Sequence, residues 1–82
     1  MTREEAYDFI RKESIDTQAG RLVYVSDVEK AVETIADDEE LKEKAINWIY
    51  DDCERLAGCM QLEDAEYCID IALGIENEDI YF

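Results

Sequence analysis

Three short oxygen acceptors, each followed three residues later by a glutamate, punctuate the first half of the chain: Thr2 with Glu5, Ser26 with Glu29, and Asp37 with Glu40. At this spacing the first side chain accepts from an N–H of the first helical turn. The Glu reaches back to the capping residue's own N–H, so each pair marks a helix start. The first predicts a helix over 3–13 with Ala6, Phe9 and Ile10 inward and Glu4, Asp8, Arg11 and Lys12 outward. The second predicts 26–36, burying Val28, Ala31, Val32 and Ile35.

The third predicts 38–57, with Leu41, Ala45, Ile46, Trp48, Ile49, Cys53 and Leu56 inward and Gly58 as its stop. A fourth helix is expected over 62–73, burying Leu62, Ala65, Ile69 and Ala72 and ending at Gly74. The fold class is therefore mainly α, one compact domain of about four helices, since 82 residues cannot build two cores.

Between the first two helices "SIDTQAGRLVYV" breaks the helical period, and its "RLVYV" is short, β-branched and aromatic. A lone strand has no bonding partner, so 21–25 either pairs with the terminal "DIYF" of 79–82 or serves as an extended connector. The connector is preferred.

The residue types that most catalytic sites require are missing. There is no His, hence neither the commonest general base nor the usual partner of a Ser or Cys nucleophile. Gly20, Gly58 and Gly74 are isolated, which excludes a phosphate-cradling loop, and neither "ADDEELKEK" nor "GIENEDIYF" has the alternation of a Ca²⁺ loop. Cys53, Cys59 and Cys68 lack C-x-x-C spacing and are expected as small buried apolar residues. A non-enzymatic protein without cofactor or metal is the expectation. No run reaches the roughly 18 apolar residues of a membrane span, and "MTREEAYDFIRKES" has acids where a secretory leader has bases, so a cytoplasmic setting is expected.

Charge is the outlying property. The 23 acids against 8 bases leave a net −15, well beyond the roughly 2 to 8 that keeps a small domain soluble. The excess adds self-repulsion, disfavours nucleic acid and anionic membranes as partners, and favours a basic protein surface. From Ala45 onward Arg55 is the only base against ten acids.

On the third helix Glu40, Glu43, Asp51 and Glu54, with Asn47 between, recur at spacings of three and four, and on the fourth Glu63, Glu66 and Asp70 do the same beside Tyr67. Such carboxylates lie about 4.5 to 6 Å apart along a helix axis, against about 3.4 Å between phosphates of one DNA strand. A plain solvated face explains charged rows in general, but such faces usually mix signs. Tyr50, Tyr67, Tyr81 and Phe82 lie in or near these acidic stretches, where aromatics serve as interface anchors or pack at helix edges.

A small Pro-free helical chain with this charge and these rows resembles the phage-encoded inhibitors that mimic nucleic acid, of anti-CRISPR or anti-restriction type. The resemblance is one of size and charge. It implies a stoichiometric inhibitor, acting in a host bacterial cytosol, that occupies the nucleic-acid channel of an effector complex. The partner-binding set expected on this reading is Glu40, Glu43, Asp51, Glu54, Glu63, Glu66, Tyr67 and Asp70. The alternative is a small adaptor that binds a partner through an apolar surface or the "DIYF" tail.

Overall fold

The first capping box forms in full: the Glu5 N–H donates to Thr2 Oγ1 at 3.1 Å and the Thr2 N–H donates to Glu5 Oε1 at 2.8 Å. These bonds hold the Glu5 carboxyl below its ordinary range. They open α1 (Arg3–Glu13) in a computed structural model that describes residues 1–75. The elements that follow are β1 (Ile15–Thr17), β2 (Gly20–Tyr24), α2 (Val25–Ile35), α3 (Glu39–Asp51), β3 (Cys59–Gln61) and α4 (Leu62–Leu73).

The expected connector is instead the central strand of a three-stranded antiparallel sheet ordered β1-β2-β3. Ile15 pairs with Leu22 on one side, and Leu22, Val23 and Tyr24 pair with Gln61, Met60 and Cys59 on the other. The strand finds partners in 15–17 and 59–61, two short segments that carry little apolar alternation of their own. The "DIYF" segment proposed as its partner lies outside the described residues.

The sheet changes two helix boundaries. Because β2 runs directly into α2, that helix starts at Val25 with Tyr24 as an N-cap that makes no side-chain bond, and Ser26 falls within the first turn instead of capping it. The Val25 N–H donates to the Gly58 carbonyl at 2.9 Å. The third helix stops at Asp51, not near Ala57, because the chain must reverse to form β3. Leu56 and Cys59 exchange backbone bonds of 2.8 and 3.0 Å around Ala57 and Gly58, whose φ values of 53° and 78° are both left-handed. Two left-handed central residues make the primed hairpin turn that matches strand twist. Gly58 thus completes a hairpin, and Leu56, expected inward, is 59% exposed. The third cap sits one residue late, with Asp38 accepting from the Glu40 N–H at 2.8 Å.

Helix α4 is the hub, packed against α1, α2 and α3. It ends as expected at Gly74, φ 75°, where the Ile75 N–H closes onto the Asp70 carbonyl at 2.9 Å. Ile10, Val23, Val28, Val32, Ile49, Met60 and Ile69 are fully buried between the helices and one face of the sheet. Burial of each such side chain stabilises by about 1.5–3 kcal/mol. Cys68 is buried, whereas Cys53 and Cys59, also expected inside, are only partly covered because they follow the helix end and lie in the hairpin. Among the described residues no helix is long and apolar enough to cross a membrane.

Candidate acidic binding surface

The row expected on α4 divides. Glu63 is exposed, but Asp70 is 4% exposed and turned toward α1. Arg3 grips it with both arms of its guanidinium, Nε to Oδ1 at 2.8 Å and Nη2 to Oδ2 at 2.9 Å, and the Tyr7 hydroxyl donates to Oδ1 at 2.7 Å. Arg3 Nη2 also donates to the Tyr7 oxygen at 3.1 Å and its guanidinium lies 5.0 Å from the centre of the Tyr7 ring. One turn back, Glu66 accepts from Arg11 Nη2 at 3.0 Å.

The physical reason is periodicity on both partners. Arg3, Tyr7 and Arg11 recur every four residues on α1, as Glu66 and Asp70 do on α4, so the two stripes face each other along the packed pair. Charge pairing within the domain therefore accounts for two of the three acids expected as a row on α4. Tyr67, expected as an anchor, is half-buried and packs edge-on against Trp48 with centroids 5.0 Å apart at 61°.

On α3, Glu40, Glu43 and Asp51 are exposed, and so is Glu54, which lies past the helix end. Exposed Lys44 falls only about 40° around the axis from Glu40, which interrupts the N-terminal half of the row with a positive charge. The helix dipole sorts the remainder. Asp38, Glu39 and Glu40 at the start of α3, and Glu63 at the start of α4, face the positive end of a helix and stabilise the fold. Asp51 in the last turn of α3 and Asp52 at its C-cap face the negative end, where the helix has no base in its last turn.

Among the described residues none of Asp51, Asp52 and Glu54 has an ion pair within 4 Å. Arg55 is close in sequence, but its Nη2 donates to the Tyr50 carbonyl at 3.2 Å and its guanidinium sits 5.0 Å from the Tyr50 ring centre. The cation covers a helix-end carbonyl and an aromatic face. Dipole position was a signal available in the sequence that row spacing alone did not use.

Tyr50 is 47% exposed and donates to Glu29 Oε1 on α2 at 2.6 Å, a bond that holds its phenol above the ordinary range. Beside it, burial pushes the Cys53 thiol up to about 11, helped by Asp64, whose Oδ2 lies 3.8 Å from Sγ. Burial also raises the Asp64 carboxyl. Burial takes the Cys68 thiol up to about 12. Both thiols are protonated at neutral pH and are poor nucleophiles. The arrangement offers negative charge and a partly exposed aromatic ring, a chemistry suited to holding Lys and Arg. No protein-family model, curated protein or solved structure matches the chain.

Proposed function

We propose that this protein is a non-enzymatic inhibitor that binds the basic nucleic-acid-binding surface of an effector complex, of CRISPR or restriction type, and keeps nucleic acid out. The observation that carries the reading is the trio Asp51, Asp52 and Glu54: exposed, adjacent, and set at the negative end of α3 where they add repulsion to the fold. Carboxylates that oppose the helix carrying them are explained by a cationic partner better than by folding. The contact surface centres on these three and extends to Glu40 and Glu43 further back along α3 and to Glu63 at the start of α4, with Tyr50 in place of Tyr67 as the aromatic contact. Glu66 and Asp70 belong to the domain's own packing.

Long-range attraction makes association fast and strongly salt-dependent. The test is competition. The protein should displace DNA or RNA from the effector at low salt, lose affinity steeply as salt rises, and fail to compete when Asp51, Asp52 and Glu54 are all changed to Lys. A matched reversal of Glu4, Asp8 and Glu13 on α1 should leave competition nearly intact. Binding that coexists with bound nucleic acid would reject the proposal.

A further inference from the structure

The outer face of the sheet is more apolar than an exposed antiparallel sheet usually is. Val23 and Met60 are paired and both fully buried, so their side of the sheet is the core side. Alternation places Ile15, Leu22, Tyr24 and Cys59 on the other side, together with the polar Thr17 and Gln61. Ile15 and Tyr24 are 46% and 48% exposed, and Leu56, bridged to Cys59, is 59% exposed. Leu22 is buried yet is not part of the contiguous core. It lies in a shallow recess of about 430 Å³ whose apolar walls include Leu22, Leu56 and Cys59 and whose polar walls include Glu54, Arg55 and Gln61.

We infer that this face and its recess dock an apolar side chain from a lysine- or arginine-rich segment of a partner protein. Charge complementarity selects that occupant. A second copy would bring another −15 against this one, and the chain's own residues 76–82 add Glu76, Glu78 and Asp79 without a base. A cationic segment instead meets Glu54 in the recess wall, with Asp51 and Asp52 preceding it in the chain, and Arg55 in the same wall has its guanidinium engaged by the Tyr50 carbonyl and ring. The inference rests on the proposed binding of a basic partner and adds where that partner gains affinity beyond charge.

Two ten-residue peptides of equal charge test it, one alternating Lys with Leu and one alternating Lys with Ser, titrated into the full chain with amide shifts and affinity followed. The Lys/Leu peptide should bind about tenfold more tightly, the gain from partly burying one or two apolar side chains. Its shifts should cluster at 15–24 and 54–61. A Leu56→Ser, Tyr24→Ser variant, altered only at exposed positions and checked as folded by circular dichroism, should lose most of that advantage while holding the Lys/Ser peptide as before. Equal affinity for the two peptides, or an unchanged advantage in the variant, overturns the inference and leaves the basic-partner reading standing. Failure of both peptides to bind at low salt removes that reading and the inference with it. A dimer that the variant dissociates, or proton contacts between Tyr24 or Leu56 and residues 76–82 in the free protein, would assign the face to another occupant and overturn the inference as well.

Discussion

The Tyr7 hydroxyl donates a 2.7 Å hydrogen bond to the buried carboxylate of Asp70, 63 residues away, and so ties the first helix to the last. Because Arg3 holds both oxygens of the same carboxylate, the three side chains act as one clamp. Tyr7→Phe should cost about 1.5 kcal/mol, the usual worth of a hydrogen bond to a charged group. Asp70→Asn should also destabilise, and the double variant should fall short of the sum by about 1 kcal/mol or more. Urea unfolding with unchanged m-values measures the cycle. Strict additivity would mean that the two residues contribute separately.

Alkali should loosen the same clamp. Burial first, then the bond to Asp70, pushes the Tyr7 phenol up to about 12. A folded-state value above the ordinary value of about 10 means that the fold favours the protonated phenol, so its contribution is complete below about pH 10 and is lost as pH approaches 12. The Cys53 and Cys68 thiols, raised to about 11 and about 12, act in the same direction from lower starting values. Stability should therefore decline from about pH 9 upward. Tyr7→Phe should remove the part lost between about 10 and 12. Phenolate absorbance followed alongside unfolding would reveal a disagreement, since a Tyr7 that ionises near 10 contradicts the clamp.

Neighbouring residues of the hairpin turn should respond with opposite signs. Ala57 has φ 53°, where a Cβ costs about 1–2 kcal/mol, so Ala57→Gly should stabilise by about 0.5–1 kcal/mol after the entropy that glycine adds to the unfolded chain. Gly58 has φ 78°, and a Cβ there would meet nothing within 4 Å. Gly58→Ala should then destabilise by about 1 kcal/mol through backbone conformation alone. Thermal midpoints of the two variants compared with the parent decide the matter, and a shared sign would contradict the turn geometry.

Helices were legible in this chain wherever apolar period and cap agreed, as for Thr2 with Glu5 and for the Gly74 stop. The sheet was not, because β1 and β3 are three residues each and draw their bonds from a neighbour that sequence alone does not reveal. Gly58 fits either a helix stop or a hairpin, and only the demand of β2 for a partner distinguishes them. The acidic rows were legible as spacing but not as orientation. Asp70 lies within the apolar run "CIDIA", a sign of burial that spacing overrides, and its partners Arg3 and Tyr7 are at the opposite end of the chain.

If the end of α3 is shaped for a partner, its acids should weaken the free protein. Asp51→Asn and Asp52→Asn each remove a negative charge from the negative end of a helix, and each should stabilise by about 0.3–1 kcal/mol at low ionic strength, shrinking as salt rises. The same variants should bind a basic effector surface more weakly, mainly through slower association. Glu39→Gln, at the favourable end of the same helix, should do the reverse for stability and little for binding. Stability from unfolding curves and association rates from stopped-flow mixing give the two readouts. A variant set that gains stability and keeps its association rate would mean that these carboxylates do not face the partner.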